Sequence, residues 1–330
     1  MAKTVVVTGA SAGNGRAIAR AFADAGCDVG LLARDAERLS VAASEIEARG
    51  QRGLAVPTDV SDPDAVERAA AEVESKLGPI DVWVNDAMVT VFAPVHEISP
   101  EEFRRATEVT YLGTVYGTMA ALRRMRPRGK GSIVQVGSAL AYRAIPLQAA
   151  YCGSKYAIRG FTDSLRVELM HDKVPINLCM VQLPAVNTPQ FDWALTKMPK
   201  KAQPVPPIFQ PEVVGRAVVF AAFNPRREIW LGGPTWQAII GNKIAPWLAD
   251  WYLARTGYNS QMRNEPTGPN PPSNLFETVP GRQGAHGSFD QKASNATATL
   301  WMTENRGALA AVGAVVGALC LGLVTRGRER

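Results

Sequence analysis

Short apolar runs alternate with longer segments of helical spacing over the first two thirds of the chain. Thr4–Thr8 is β-branched throughout and predicts a strand. Gly13–Ala25 follows at helical spacing, with small residues on one face. Asp28–Ala33 predicts a second strand and Asp35–Arg49 a second helix, and Leu54–Pro57 precedes Asp59. A helix from about Asp62 to Lys76 leads into a strand at Ile80–Asn85. Two helices span roughly Pro100–Arg126, a strand covers Ser132–Val136, and a helix covers Tyr151–His171. Ile176–Val181 and Glu228–Leu231 are the last strands. Continuous apolar strands are buried on both faces, which is the mark of a parallel sheet. Their regular alternation with helices predicts an α/β fold with a doubly wound parallel sheet and helices on both faces. Such sheets bind ligands beyond the carboxyl ends of their strands.

The pattern changes after about Gly241. Lys243–Arg255 is spaced as an amphipathic helix bearing Trp247, Trp251 and Tyr252. Asn259–Asn305 is rich in Pro, Gly, Asn and Ser and is expected to be a linker or a loosely folded extension. Gly307–Val324 is uncharged, at about the lower length limit for crossing a bilayer. Gly313 and Gly317 within it allow close helix packing in lipid. Arg306 precedes the stretch, and Arg326, Arg328 and Arg330 follow it. Three readings stand for this tail: a spanning helix, a shallow helix with its arginines on anionic headgroups, or an Ala/Gly-rich soluble helix. The expected division is a catalytic domain over 1–240, a helix and linker over 241–306, an apolar helix and candidate membrane anchor over 307–324, and a basic tail over 325–330.

Composition narrows the partners. The 330 residues are 46% hydrophobic and 20% charged, which suits a large globular domain with an extension. A net charge of +6 fits anionic ligands, nucleic acid or an acidic membrane surface. The densest basic run, Arg123–Lys130, lacks any nucleic-acid motif and reads as a solvated turn, so no nucleic-acid partner is expected. Cys27, Cys152, Cys179 and Cys320 have neither metal nor redox spacing. His96, His171 and His286 are equally scattered, so no metal site is expected. A strand begins almost at the N-terminus, with no secretory leader before it, which predicts a catalytic domain in a reducing cytoplasm.

The candidate chemistry starts at the first strand, which runs into Thr8-Gly9-Ala10-Ser11-Ala12-Gly13-Asn14-Gly15. Glycines between a strand and a helix let backbone approach a pyrophosphate at the helix N-terminus. Tyr151 and Lys155 lie at i and i+4 and so share a helix face. A cation beside a phenol lowers its pKa and fits it for proton transfer. Ser138 stands just past the strand Ser132–Val136.

Together these motifs resemble the short-chain dehydrogenases/reductases over about Lys3–Gly233. The resemblance implies a Rossmann fold and hydride transfer between a nicotinamide cofactor and a carbonyl or alcohol. Tyr151 is then the proton donor and acceptor, Ser138 holds the substrate oxygen, and Lys155 biases Tyr151 and holds the nicotinamide ribose. Gly9, Ser11, Gly13, Asn14, Gly15, Asp59, Asn85, Ala87, Val186 and Thr188 fall at cofactor positions. The second strand ends Leu32-Ala33-Arg34, without the carboxylate that would select NAD, and Arg34 can pair with a 2′-phosphate. NADP(H) is therefore expected over NAD(H).

This chain also departs from the family pattern. Asn14 fills a usually apolar place, and Asn85-Asp86-Ala87-Met88 replaces Asn-Asn-Ala-Gly. Thr110 stands where the family places a relay asparagine. Leu183-Pro184 replaces Pro-Gly ahead of Val186 and Thr188. Residues from Pro189 to about Pro207 are the expected substrate lid, and Phe191, Trp193, Leu195 and Met198 there either line an apolar pocket or pack the lid down. The resemblance further implies a homodimer or homotetramer, paired through about Glu102–Arg126 and Tyr151–His171. The rival reading is a non-catalytic nucleotide-binding redox sensor or membrane scaffold.

Overall fold

A computed structural model describes residues 2–281 and 284–307. Among them, seven parallel strands form one sheet: β1 (Thr4–Thr8), β2 (Asp28–Ala33), β3 (Gly53–Pro57), β4 (Ile80–Asn85), β5 (Gly131–Val136), β6 (Ile176–Gln182) and β7 (Glu228–Trp230). Their order across the sheet is β7-β6-β5-β4-β1-β2-β3. The chain winds outward from β1 to β3, then crosses back to lay β4 against the other side of β1. A crevice opens where the winding reverses, at the carboxyl ends of β1 and β4. The expected doubly wound sheet is therefore present.

Helices cover both faces because the strands are apolar on both. Val5, Val7, Val29 and Leu31 point into one cluster with Ile18 and Phe22 of α1 (Gly13–Asp24) and Val213, Val214, Ala217 and Val218 of α7 (Pro211–Phe223). Val6, Leu32, Trp83 and Ile133 point into the other, against α3 (Pro63–Leu77), α5 (Gly113–Met125) and α6 (Ala149–His171). The helix α2 (Ala36–Glu47) starts where Asp35 caps it, its carboxylate accepting from the Arg38 backbone N–H at 2.9 Å. The two helices expected over Pro100–Arg126 run end to end. A wider π turn at Glu108–Leu112 joins α4 (Pro100–Thr107) to α5.

Two expectations about the chain after Gly241 change. The single amphipathic helix is split: α8 (Gly233–Ile244) ends at Ala245, and α9 (Pro246–Thr256) starts with Pro246 at its first turn. The segment expected to be a linker is packed against the body. Met262–Pro266 pairs antiparallel with Lys200–Ala202, and Ala293–Ser294 pairs with Ile208–Phe209. Leu275, Ala285, Phe289 and Leu300 are buried, the last on the short helix α10 (Ala298–Glu304). The described parts of the stretch between Asn274 and Asp290, 274–281 and 284–290, are called the strap below; Asn274, Thr278 and Val279 line the crevice and the Gly284 carbonyl accepts from the Gly13 N–H. From residue 308 on, the expected apolar helix and basic tail lie outside the described residues. Among the described residues no helix is long and apolar enough to cross a membrane.

Candidate active site

The glycine loop leaves β1 at Gly9, whose φ of +74° and proximity to Ala87 leave no room for a side chain. A Cβ on Gly15 would meet the Gly9 carbonyl oxygen at 2.3 Å, so the first turn of α1 packs directly under the loop. Gly9, Ser11, Gly13 and Asn14 line a groove over the strand ends, with Arg34, Arg38, Asp59, Ala87 and Thr188. The groove continues past Asn14, Asp86, Met88 and Thr188 into a larger cavity of about 340 Å³ that holds Ser138, Tyr151, Lys155 and Val186. Nine of the predicted cofactor positions and all three predicted catalytic residues thus share one continuous trough, counting Val186 with the cavity. The loop that would cradle a pyrophosphate and the buried, unpartnered Oδ1 of Asn14 both fit a dinucleotide.

Two predicted cofactor residues do not face the trough. Gly15 is the packing glycine just described. Asn85 is buried in a polar network: its Oδ1 accepts from Trp83 Nε1 at 2.8 Å, and its Nδ2 donates to Gln135 Oε1 at 2.9 Å and Thr118 Oγ1 at 3.1 Å. These bonds tie β4 to β5 and α5, so Asn85 supports the floor of the site. At the far end of the groove, Asp59 pairs with Arg105 at 2.5 Å and accepts from the Ser61 backbone and hydroxyl. Burial would raise its pKa, but these partners outweigh burial and hold the carboxyl below the ordinary range.

In the catalytic corner, Ser138 leaves β5 with its backbone N–H donating to Gln182 Oε1 at 2.7 Å, and its hydroxyl accepts from Leu140 N at 3.1 Å. Gln182 is itself braced by Glu228, which also accepts from the Tyr142 hydroxyl and from Trp230 Nε1. The sequence reading had no signal for this brace, because Gln182 and Glu228 lie on separate strands with no shared motif. Lys155 is buried, donates to the Val136 carbonyl at 2.7 Å, and sits 5.5 Å from the Tyr151 ring centroid.

The expected lowering of the Tyr151 pKa by Lys155 is not what the geometry gives. Burial pushes the Tyr151 phenol above its ordinary value, and a hydrogen bond with Ser138 offsets part of this. Asp86, the carboxylate in place of an amide, is half-buried between Lys155 and the Gly15 backbone. Burial raises Asp86 and lowers Lys155, and each opposes the shift of the other. Thr110 is fully buried in the π turn. Its hydroxyl donates to the Val89 carbonyl at 2.8 Å and accepts from the Val89 N–H at 3.1 Å, so it braces the loop after β4.

The lid aromatics divide between the two roles left open. Phe191 lines the cavity, whereas Trp193 lines the cofactor groove, where Arg38 stacks on it at 4.9 Å. The extension adds walls that the sequence reading missed. Tyr252, Leu253, Thr256 and Gln261 line the cavity, and Asn274, Thr278 and Val279 line the groove. The Gly13 N–H donates to the Gly284 carbonyl at 3.1 Å, and the Arg34 guanidinium donates to the carbonyls of Asn274, Leu275 and Phe276. Among the described residues there is no cluster of side chains suited to a metal. Cys152 is buried, and burial pushes its thiol up to about 11.

Comparison with known proteins gives the same picture. A family profile described as short chain dehydrogenase matches residues 3–197. The chain is 31% identical over 279 residues to the uncharacterized oxidoreductase YxnA of Bacillus subtilis, covering 83% of this chain and 78% of that one. Among solved structures, a short-chain dehydrogenase from Streptomyces avermitilis superposes with a TM-score of 0.65 at 28% identity, over 78% of this chain and 98% of that one. A metagenomic short-chain oxidoreductase in complex with NADP superposes with a TM-score of 0.59 at 27% identity, over 69% and 96% of the two chains.

Proposed function

Because the chain belongs to the short-chain dehydrogenase family and is therefore an oxidoreductase, we propose that it interconverts an apolar carbonyl compound and its alcohol with NADP(H). One observation carries this reading: Ser138, Tyr151 and Lys155 line one wall of a cavity that opens directly into the glycine-loop groove. The bound cofactor supplies or takes the hydride.

The rest of the chemistry belongs to the chain. Ser138, held by Gln182 through its backbone, presents its hydroxyl to the substrate oxygen. Tyr151 gives that oxygen a proton in reduction and takes it back in oxidation. Lys155, its ammonium 5.5 Å from the Tyr151 ring centroid, would offset part of the burial that raises the phenol and hold the nicotinamide ribose. The rest of the cavity wall is largely apolar, with Phe92, Leu140, Ile145, Phe191, Val205 and Leu253. Among the described residues, Asp86 and Lys155 are its charged side chains, which favours an uncharged, apolar substrate.

NADP(H) is supported by the basic character of the groove's adenosine end, where Arg34 and Arg38 stand and no carboxylate replaces Ala33. The NADP complex of the metagenomic relative agrees with this choice. Pairing of subunits through α4–α5 and α6 is supported by exposed Phe103, Met119, Tyr156, Val167 and Met170 on those helices. A panel of aldehydes, ketones and alcohols assayed with both nicotinamide cofactors tests the function. Turnover of apolar carbonyls with NADPH is expected. No turnover of any member with either cofactor would reject the reading.

A further inference from the structure

Asp86 is a charged group of the site that the proton and hydride steps leave unused. It stands just past β4, a carboxylate where the glycine-loop families of this fold carry an amide. Its backbone N–H donates to the Thr8 hydroxyl at 3.0 Å, which fixes the residue beside the start of the glycine loop. From there it lines both the groove and the cavity, at the junction between them. Gly9, Ser11, Gly13 and Asn14 of the loop line the same groove.

Among the described residues, Lys155 faces Asp86 from α6, with the Tyr151 phenol on the same helix. The first turn of α1 faces it through the Gly15 N–H. The other ionisable side chains of the groove, Arg34, Asp35, Arg38 and Asp59, stand at its adenosine end. The Asp86 carboxylate therefore draws on one ammonium and one helix N-terminus. A dinucleotide brings its pyrophosphate to that same N-terminus. Two anionic groups then share the end of α1, and the one charge of Lys155 cannot balance both. A like charge nearby favours the neutral form of a carboxyl. Burial already holds the Asp86 carboxyl above its ordinary range, with Lys155 opposing, so a further push falls near neutral pH. Lys155 responds in the opposite sense, because an incoming anion favours the charge that it carries.

We propose that Asp86 couples cofactor binding to proton uptake: as the dinucleotide phosphates enter the glycine loop, the Asp86 carboxylate takes one proton from solvent and becomes the neutral acid. This rests on the reading of the groove as a nicotinamide-dinucleotide site. The balance is simple. One O–H bond forms on Asp86, a water or buffer acid in the groove gives up the proton, and no electrons move. The sign follows from linkage. The bound state has the higher Asp86 pKa, so binding is at full strength below the free-state pKa. It weakens by up to about tenfold per pH unit until the bound-state pKa is passed, and then levels off.

The test is titration calorimetry of the full-length protein with NAD+ and with NADP+, from about pH 6 to pH 9, in buffers of different ionisation enthalpy. The dependence of the heat on the buffer counts the protons taken up. The 2′-phosphate of NADP+ itself titrates at about pH 6, so NAD+ gives the cleaner count. Infrared difference spectra of the same mixtures identify the group, because an acid band replaces a carboxylate band. The wild type is expected to take up close to one proton and to gain the acid band. Asp86→Asn is expected to lose that band and to bind more tightly than the wild type at the alkaline end. Asp86→Glu, a second variant that keeps a carboxyl, is expected to retain the uptake with a moved midpoint. Binding without proton uptake, an acid band that survives in Asp86→Asn, or an identical uptake curve in Asp86→Glu overturns the inference alone. A wild-type protein that binds neither dinucleotide overturns the cofactor reading and the inference with it.

Discussion

Replacing Leu275 with alanine asks whether the strap is held where the structure places it. Leu275 is fully buried, in the cluster that includes Val60, Val66 and Val89, while its carbonyl accepts from Arg34 and Arg105. Truncating a buried leucine costs about 2–5 kcal/mol, the lower values applying where the site can collapse. The strap lies at the surface and keeps its backbone bonds in the variant, so the lower part of the range, about 2–3 kcal/mol, applies. At tenfold per 1.4 kcal/mol, the open population of the strap rises about 30- to 150-fold. Hydrogen exchange reads this directly. The Asn274 amide donates to the Trp193 carbonyl at 2.9 Å, and the Phe289 amide donates to Asn187 Oδ1 at 3.0 Å. Both should exchange faster by that factor, while amides of Ile133 and Val134 in β5 stay protected. Unchanged exchange at Asn274 and Phe289 would refute the packing assigned to Leu275. Equal loss of protection in strap and sheet would refute the claim that the strap opens on its own.

The remaining predictions concern chemistry and pH. Tyr151→Phe should lower turnover by about 10²- to 10⁴-fold while NADPH binding, followed by fluorescence, stays nearly intact; near-normal turnover would remove Tyr151 from the mechanism. Asp86→Asn removes the charge that raises the Lys155 pKa, so the alkaline fall in kcat/KM should begin at lower pH than in the wild type, and a profile that does not move would show that the pair is uncoupled. His286 bridges Glu212 at 2.9 Å and Asp290 at 2.6 Å; burial alone would lower its pKa, but the two carboxylates outweigh it and raise it. Its contribution is therefore complete below its unfolded pKa of about 6.5 and is lost as pH rises through the higher folded value. The pH-driven part of strap opening, measured by exchange at Phe289, should grow over that interval and flatten in His286→Gln; identical profiles would show that the His286 bridge does not hold the strap.

The sheet and the grouping of Ser138, Tyr151 and Lys155 in one cavity were legible because their signals are local. Apolar runs mark buried strands wherever they occur, and an i,i+4 pair shares a helix face whatever surrounds the helix. The Tyr151 pKa was not legible, since burial depends on how the cavity closes over the ring. Asn85 sits in a family motif, yet its amide serves Trp83, Thr118 and Gln135, contacts that no spacing reports. Arg38 carried a faint signal, a second arginine in the first turn after Arg34, but only burial distinguishes it from a surface cation. The strap was missed for a different reason. Its order comes from backbone carbonyls taken by Arg34, Arg38 and Arg105, whose partners lie more than a hundred residues away in the chain. A segment held by its backbone needs no apolar periodicity, so its composition resembles that of a linker.

The same backbone economy joins the two covers of the site. The segment expected to be the lid includes Lys200–Ala202, and its β partner is Met262–Pro266, which leads toward the strap. Arg263 adds an ion pair to Asp192 of the lid at 2.6 Å and stacks on Phe289 of the strap at 4.4 Å. Asn274 of the strap donates its N–H to Trp193 of the lid. The 189–207 segment is thus tied to the extension by a strand pair with 262–266, and to the strap by Arg263, by the Ser288 hydroxyl donating to Asp192 at 3.0 Å, and by a backbone bond beside Arg38. Moving the lid outward to admit substrate either breaks these ties or carries 262–266 and the strap with it. In the second case the adenosine pocket loses its outer wall whenever the cavity opens. Access to the substrate site and retention of the cofactor then depend on the same set of weak, mostly backbone contacts.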